Sequence, residues 1–215
     1  MTELIVKGAL AYLLGSVVGS LLIGKFRGID IRTMGSGNAG ATNMLRTQGK
    51  AVALAVLVID FLKGWLATAV LAAWRPPGAA ADPALHAWCI SVCGLAVMIG
   101  HVYPLWYGFR GGKGVATFLG AVLGVSPMLA LVAVAVWVVV VIVFGFVSLG
   151  SMLAAAAVAV VIATGSTERQ PLLLFGVLAA LLIIYTHRAN IARLRAGSES
   201  RARRLWLFGT RQGKD

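Results

Sequence analysis

Residues 115–163 read VATFLGAVLGVSPMLALVAVAVWVVVVIVFGFVSLGSMLAAAAVAVVIA, about 50 residues without one charged side chain. As a single α-helix this run would be ~75 Å long at about 1.5 Å per residue, more than twice the hydrocarbon thickness of a bilayer. It must fold back on itself. Ser126-Pro127 and Phe146-Val147-Ser148-Leu149-Gly150-Ser151 are its helix-breaking clusters, and they divide it into three pieces.

The rest of the chain points to the same solvent. Of 215 residues, 60% are hydrophobic and 12% charged, and the mean hydropathy is +0.91. A soluble domain carries about 25% charged residues, and a chain this long cannot bury such an apolar excess in one water-soluble core. This composition excludes a disordered protein, a secreted disulfide scaffold and a nucleic-acid-binding module. Cys89 and Cys93 lie four apart in an apolar run, which predicts two small buried side chains rather than a redox or metal pair. No signal-peptide pattern opens the chain, so Leu4–Ile23, interrupted only by Lys7, reads as a retained first span.

Further spans are predicted over Ala51–Trp74, Leu85–Tyr103 and Leu172–Thr186. Charge then sets the topology. The balance is 19 Lys+Arg against 7 Asp+Glu, a net of +12. Lys25, Arg27, Arg32, Arg46 and Lys50 assign the first long loop to the cytoplasm, and Arg188, Arg193, Arg195, Arg201, Arg203 and Arg204 assign the tail there too. Arg75–Ala84 and Gly165–Gln170 each pair one Arg with one acid, as outside loops do. The long run starts inside near Lys113 and ends outside near Gly165, so it crosses an odd number of times. One crossing is too few for its length. Three crossings give an all-α, polytopic bundle of seven transmembrane helices, N-terminus outside and C-terminus cytoplasmic, as a single domain over 1–215. Every glycine-rich or basic loop then meets at one face.

Two of those loops have the chemistry of anion sites. The first, Gly35-Ser-Gly-Asn-Ala-Gly-Ala-Thr-Asn43, has glycines that let the backbone curl around a ligand. Ser36, Asn38, Thr42 and Asn43 add neutral donors, and Arg46 offers a fork for phosphate. The second, Gly111-Gly112-Lys113-Gly114, leads straight into an apolar helix, whose first N–H groups favour an anion. Neither loop has Walker or GxGxxG spacing. Tyr103, Trp106, Tyr107 and Phe109 read as an interfacial belt.

His187, Asn190 and Leu194 share one helical face where the last span meets the cytoplasm, and a neutral imidazole there can take a proton from a hydroxyl. His101 ends the third span, as a structural hydrogen-bonder or a catalyst. Asp60 and Lys63, at i and i+3 within the second span, read as a neutralising pair or a functional one. Asp30 has Arg27 or Arg32 as partner, and the tail arginines, Arg193 among them, read as headgroup contacts. No cluster of His, Cys, Asp and Glu suggests a metal, and no cofactor is predicted.

These motifs together resemble the bacterial acyl-phosphate:glycerol-3-phosphate acyltransferases, integral-membrane enzymes of phospholipid synthesis. The resemblance rests on Gly35–Asn43 with Leu45-Arg46-Thr47 and Gly49-Lys50, on Gly100-His101 with Pro104 and Gly111–Thr117, and on His187-Arg188 with Asn190-Ile191 and Arg193-Leu194. Ser148-Leu149 with Ser151 is a weaker fourth. Ala39 stands where the family often has Pro, and Tyr103 where Phe is common; neither change removes a polar group.

The resemblance implies transfer of a fatty acyl group from acyl phosphate to the 1-hydroxyl of glycerol 3-phosphate, yielding lysophosphatidic acid and phosphate. It implies a glycerol 3-phosphate pocket of Ser36, Arg46, Lys113, Ser151, His187 and Asn190. It also implies an acyl-phosphate cradle of Gly37, Asn38, Gly40, Thr42, Asn43, Gly111, Gly112 and Gly114. His187 or a substrate phosphate oxygen takes the hydroxyl proton. The implied setting is the bacterial inner membrane, with the site facing the cytoplasm, membrane lipids around it and the soluble enzyme that makes acyl phosphate as a partner.

A transporter of phosphorylated anions is the reading from another class, but it would set its polar groups at the midplane of repeated halves. A polybasic membrane anchor would explain the tail alone. An alcohol phosphatidyltransferase would need clustered intramembrane Asp residues, and only Asp60 qualifies.

Overall fold

A computed structural model describes residues 1–75, 78, 81–165, 170–202 and 206–207. Pro76-Pro77 and Glu168-Arg169 of the two presumed outside loops, and Arg203 and Arg204 of the tail, lie outside the described residues. All regular structure among the described residues is helical. The order is α1 (Thr2–Gly15), α2 (Gly19–Phe26), α3 (Ala41–Thr47), α4 (Lys50–Trp65) with a π-helical continuation over Leu66–Leu71, and α5 (Pro83–Val102). Then follow α6 (Val115–Val125), α7 (Pro127–Phe144), α8 (Val147–Ala163), α9 (Gln170–Thr186) and α10 (Arg188–Arg195).

The uncharged run breaks into three helices, at Ser126-Pro127 as predicted and at Gly145-Phe146, the front edge of the second predicted cluster, whose remaining residues 147–151 open α8 instead of breaking the helix. Ser126 is extended and Pro127 opens α7, where the missing N–H and fixed φ cost nothing. At the other break Gly145 takes φ 80°, a left-handed cap that a β-carbon would strain, and α8 starts two residues later.

The first span differs from the continuous helix predicted. It bends by 46° between α1 and α2, and the break is held from another helix. The Lys63 ammonium donates to the carbonyls of Gly15 (2.9 Å) and Val17 (2.8 Å), while the Asp60 carboxylate accepts the Gly19 N–H at 3.1 Å. A cation thus caps the negative end of α1 and an anion the positive end of α2. The two charges lie 3.0 Å apart, and His101 joins them with its Nδ1 2.9 Å from the Lys63 Nζ. Of the two roles open to Asp60 and Lys63, this geometry uses them as a staple. Lys7 is satisfied similarly, by Glu3 (2.7 Å) and by the Ala72 carbonyl (2.8 Å) beyond the π-helical turn.

Small residues let the helices approach closely, as membrane helices require. A β-carbon on Gly15 or Gly100 would strike the facing backbone where α1 crosses α5, and Gly64 and Gly120 do the same for α4 and α6. Phe118, Val122, Val158, Phe175 and Ile183 form the core between α6, α8 and α9. Leu131, Val139, Val160 and Leu181 point outward, as lipid-facing residues do. Among the described residues, three helical stretches (Lys50–Leu71, Pro83–Tyr107 and Pro127–Phe144) are long and apolar enough to cross a membrane alone. The bent pairs α1–α2 and α9–α10 raise that number to five, with α6 and α8 as shorter apolar helices. Cys89 and Cys93 are buried free thiols.

Candidate active site

The two glycine-rich loops lie against each other, and Gly112 is the reason. A β-carbon there would collide with the His101 imidazole and the Ala39 carbonyl, so only glycine lets the α5–α6 loop seat on the first loop. Arg32 ties the loops a second time: it pairs with Asp30 at 2.8 Å and donates to the carbonyls of Tyr107 (2.9 Å) and Arg110 (3.2 Å). Of the two partners open to Asp30, the structure selects Arg32.

Four of the loop glycines shape these loops rather than offering their own N–H groups. Gly37 donates to Met34 (2.9 Å), Gly40 to Asn38 (3.0 Å), Gly111 to Val102 (3.0 Å) and Gly112 to His101 (3.1 Å). Free backbone N–H groups lie beside them. Among the described residues, the N–H groups of Asn38 and Ala39 in the first loop, of Ala41 and Thr42 at the start of α3, and of Lys113 through Thr117 across the second loop and the start of α6 have no acceptor. Thr42 and Asn43 sit on α3 rather than in the loop. The Asn43 amide is fully engaged. It accepts the Ser36 N–H at 3.0 Å and donates to the carbonyls of Met34 (2.9 Å), Asn38 (3.0 Å) and Ile31 (3.2 Å), which makes it the internal scaffold of the loop.

Lys113 leaves this platform to donate to Asn190 Oδ1 on α10, joining segments 77 residues apart. Asn190 Nδ2 in turn donates to Glu199 at 2.6 Å. The same carboxylate accepts from Ser148, at the start of α8 (2.7 Å), and from Arg193 (2.6 Å), and Arg46 from α3 reaches Ser200 at 3.4 Å. Four separated segments supply this cluster. Burial first, then the Arg193 and Arg46 charges, lower the Lys113 pKa against the opposing pull of Glu199, to about 8. For Glu199 burial pushes the pKa up, but hydrogen bonds from Asn190, Ser148 and Arg193 hold the carboxyl below its ordinary value.

His187 occupies the bend between α9 and α10, its Nδ1 2.8 Å from the Ile183 carbonyl. A carbonyl only accepts, so Nδ1 carries the proton and Nε2 keeps a lone pair. Burial and the Lys113 charge lower the imidazole pKa to about 4.

Lys113 and Asn190 therefore touch, and Arg46 and His187 flank them. Ser151 is buried one turn beyond Ser148 and donates to Val147 (2.9 Å); Ser36 is exposed, its N–H on Asn43. Neither hydroxyl contacts the cluster among the described residues. Glu199, which sequence reasoning did not single out, joins this cluster with Ser148, which it gave only within the weaker fourth motif, and Arg193 turns to Glu199 instead of standing free for headgroups. One signal was present: Glu199 is one of two acids in a strongly basic tail.

Residues 5–197 match the family profile described as glycerol-3-phosphate acyltransferase. The chain belongs to this family. A glycerol-3-phosphate acyltransferase of Geobacter sulfurreducens is 46% identical over 202 residues, covering 94% of this chain and 98% of the relative. One from Aquifex aeolicus is 40% identical over 191 residues, or 89% and 95% of the two chains. Among solved structures, the glycerol 3-phosphate form of PlsY (YgiH), an integral membrane glycerol 3-phosphate acyltransferase, superposes with TM-score 0.82 at 37% identity, covering 92% of this chain and 94% of that one. Its lysophosphatidic acid form gives 0.80 at 36% identity over the same shares. As a glycerol-3-phosphate acyltransferase the chain acts in phospholipid biosynthesis, and its all-helical fold is that of an integral membrane protein.

Proposed function

We propose that this acyltransferase moves a fatty acyl group from acyl phosphate to the 1-hydroxyl of glycerol 3-phosphate, giving 1-acylglycerol 3-phosphate (lysophosphatidic acid) and phosphate. The observation that carries the reading is the Lys113–Asn190 contact with Arg46 and Arg193 beside it, a cation cluster built from segments far apart in the chain. The two PlsY forms, with glycerol 3-phosphate and with lysophosphatidic acid, support the same substrate and product.

In this reading Arg46, Lys113, Asn190, Ser36 and Ser151 bind the glycerol 3-phosphate. Asn38, Thr42 and the free N–H groups of 38–42 and 113–117 hold the acyl phosphate, on loops shaped by Gly37, Gly40, Gly111, Gly112, Gly114 and Asn43. The substrate hydroxyl oxygen forms the new ester bond to the acyl carbon as the bond from that carbon to the phosphate oxygen breaks. Acyl phosphate is already activated, so positioning and stabilisation of the oxyanion and the departing phosphate suffice. With an imidazole pKa of about 4, His187 is too weak a base for efficient proton removal at neutral pH. Its Nε2 accepts a hydrogen bond from the hydroxyl and orients it, and the proton passes to a phosphate oxygen of the donor.

The same proposal includes seven spans with N-terminus outside, a single domain over 1–215, and a site facing the cytoplasm from the bacterial inner membrane, supplied by the soluble enzyme that makes acyl phosphate. Positive charge in the loops that meet at the site supports this orientation. The 11-residue α6 is the shortest crossing at ~16 Å, and its close packing on α4 supports its being embedded.

The test is turnover by purified protein in detergent. Given acyl phosphate and glycerol 3-phosphate, it should release phosphate and form lysophosphatidic acid without added metal. No turnover, with uptake of a phosphorylated solute into vesicles instead, would overturn the proposal in favour of a transporter.

A further inference from the structure

Glu199 has no part in the reaction as described, yet its side chain is 7% exposed and sits in the centre of the cation cluster. The chain around it is built to deliver it there. Past α10 the Ser198 N–H returns to the Arg193 carbonyl at 2.9 Å, which turns the tail back toward the bundle. Beyond Glu199, Ala202 donates to Gly145 (2.7 Å), Leu207 to Ile142 (2.9 Å) and the Trp206 indole to Val143 (3.0 Å). These are the carbonyls that the end of α7 leaves without helical partners. The chain is therefore clipped on both sides of Glu199.

The hydrogen bonds around Glu199 have one consistent sense. A carboxylate only accepts, so Asn190 must present its amide nitrogen to Glu199, and its Oδ1 is then turned to Lys113. Flipping that amide would set Nδ2 against an ammonium and Oδ1 against a carboxylate. Glu199 thereby selects the one orientation in which Asn190 holds Lys113. Its other oxygen fixes Arg193, and the Ser148 hydroxyl completes its shell.

We propose that Glu199 is a positioning residue for glycerol 3-phosphate, which acts through Asn190 to hold the Lys113 ammonium in its binding geometry before the substrate arrives, and pairs with Arg193 beside it. The inference rests on the phosphate pocket proposed above. A cation held by its neighbours need not reorganise when the anion docks, and that saving appears as affinity. Glu199 also favours the charged form of Lys113 against burial and the neighbouring arginines. A carboxylate that merely plugged an empty anion site would do the opposite, competing with substrate and weakening its binding.

The experiment compares KM for glycerol 3-phosphate and kcat in the full chain, with acyl phosphate as donor, for Glu199→Ala, Glu199→Gln, Asn190→Ala, Lys113→Ala and the Glu199→Ala/Asn190→Ala pair. Glu199→Ala should raise KM about tenfold or more, with a smaller effect on kcat. The pair should be little worse than Asn190→Ala alone, because the two residues act in series. If Glu199→Ala does not yield folded protein, Glu199→Gln carries the same prediction, since it keeps the size but presents a donor to Arg193. A lowered KM would mean a displaced plug and overturn the proposal. So would an unchanged KM, or additive losses in the pair. Wild-type KM in Lys113→Ala would instead sink the pocket itself, and the inference with it.

Discussion

The Nδ1 of His187 lies 2.8 Å from the carbonyl oxygen of Ile183, one turn back along the last span. That bond sets the tautomer, leaves Nε2 as an acceptor and fixes the ring at the bend between α9 and α10. Together with burial beside Lys113, it separates the two roles open to this histidine. An orienting acceptor should be replaceable by another acceptor. His187→Gln, whose side-chain oxygen stands in for Nε2, should retain most of kcat, and His187→Ala should chiefly raise KM for glycerol 3-phosphate. A fall in kcat of about 10³ or more in the Gln variant would identify His187 as the general base.

Lys113 should set an alkaline limit to activity. Its pKa is lowered to about 8, so the free enzyme loses this charge, and phosphate affinity with it, as pH rises through that value. The expected kcat/KM profile for glycerol 3-phosphate falls above about pH 8. The limb for kcat lies higher, because bound phosphate favours the ammonium. Lys113→Arg should remove the limb from kcat/KM even if it lowers the plateau. A limb unchanged in the Arg variant would assign it to another group.

Stability should fall on the acid side of neutrality. The imidazole of His187 binds its proton near pH 4 in the folded protein, against an ordinary 6.5, so as pH falls the unfolded chain takes the proton first. The contribution of His187 is full above 6.5 and is lost as pH falls toward 4. Thermal unfolding in detergent between these values should show a drop in Tm that is smaller in His187→Gln.

Removing the staple at the α1–α2 break should be severe. Lys63→Met takes the cation from the buried Asp60 charge and leaves the Gly15 and Val17 carbonyls without their donor, a loss of about 3–5 kcal/mol for a broken buried pair. A lower Tm in detergent measures it. Replacing both charges, as Asp60→Leu/Lys63→Met, should cost less than the two single losses added together.

Gly112→Ala tests the apposition of the two loops. Its β-carbon would meet the Ala39 carbonyl and the His101 ring, so the loops must part. Turnover should drop at least about tenfold for a misplacement on the scale of an ångström. Normal kinetics would show that the close seat of the loops is dispensable.

The residues alone specify the solvent, the breaks and the chemistry of the loops. An uncharged run too long for one crossing must turn, and Ser126-Pro127 and the glycine-containing stretch near Ser148 are where local sterics permit it. The two glycine-rich loops and their cations are equally legible, because backbone freedom and charge are properties of short segments. Tertiary structure decides what long-range contact decides. That the first span bends at Gly15–Gly19 depends on Asp60 and Lys63, over 40 residues away, because only another helix can supply the charges that cap its broken ends. That Glu199 enters a cation cluster depends on the tail being clipped to the end of α7, through bonds such as Ala202 to Gly145. A hydrophobic pattern records which face of a helix is buried, but not which distant carbonyl or ammonium waits opposite a polar side chain.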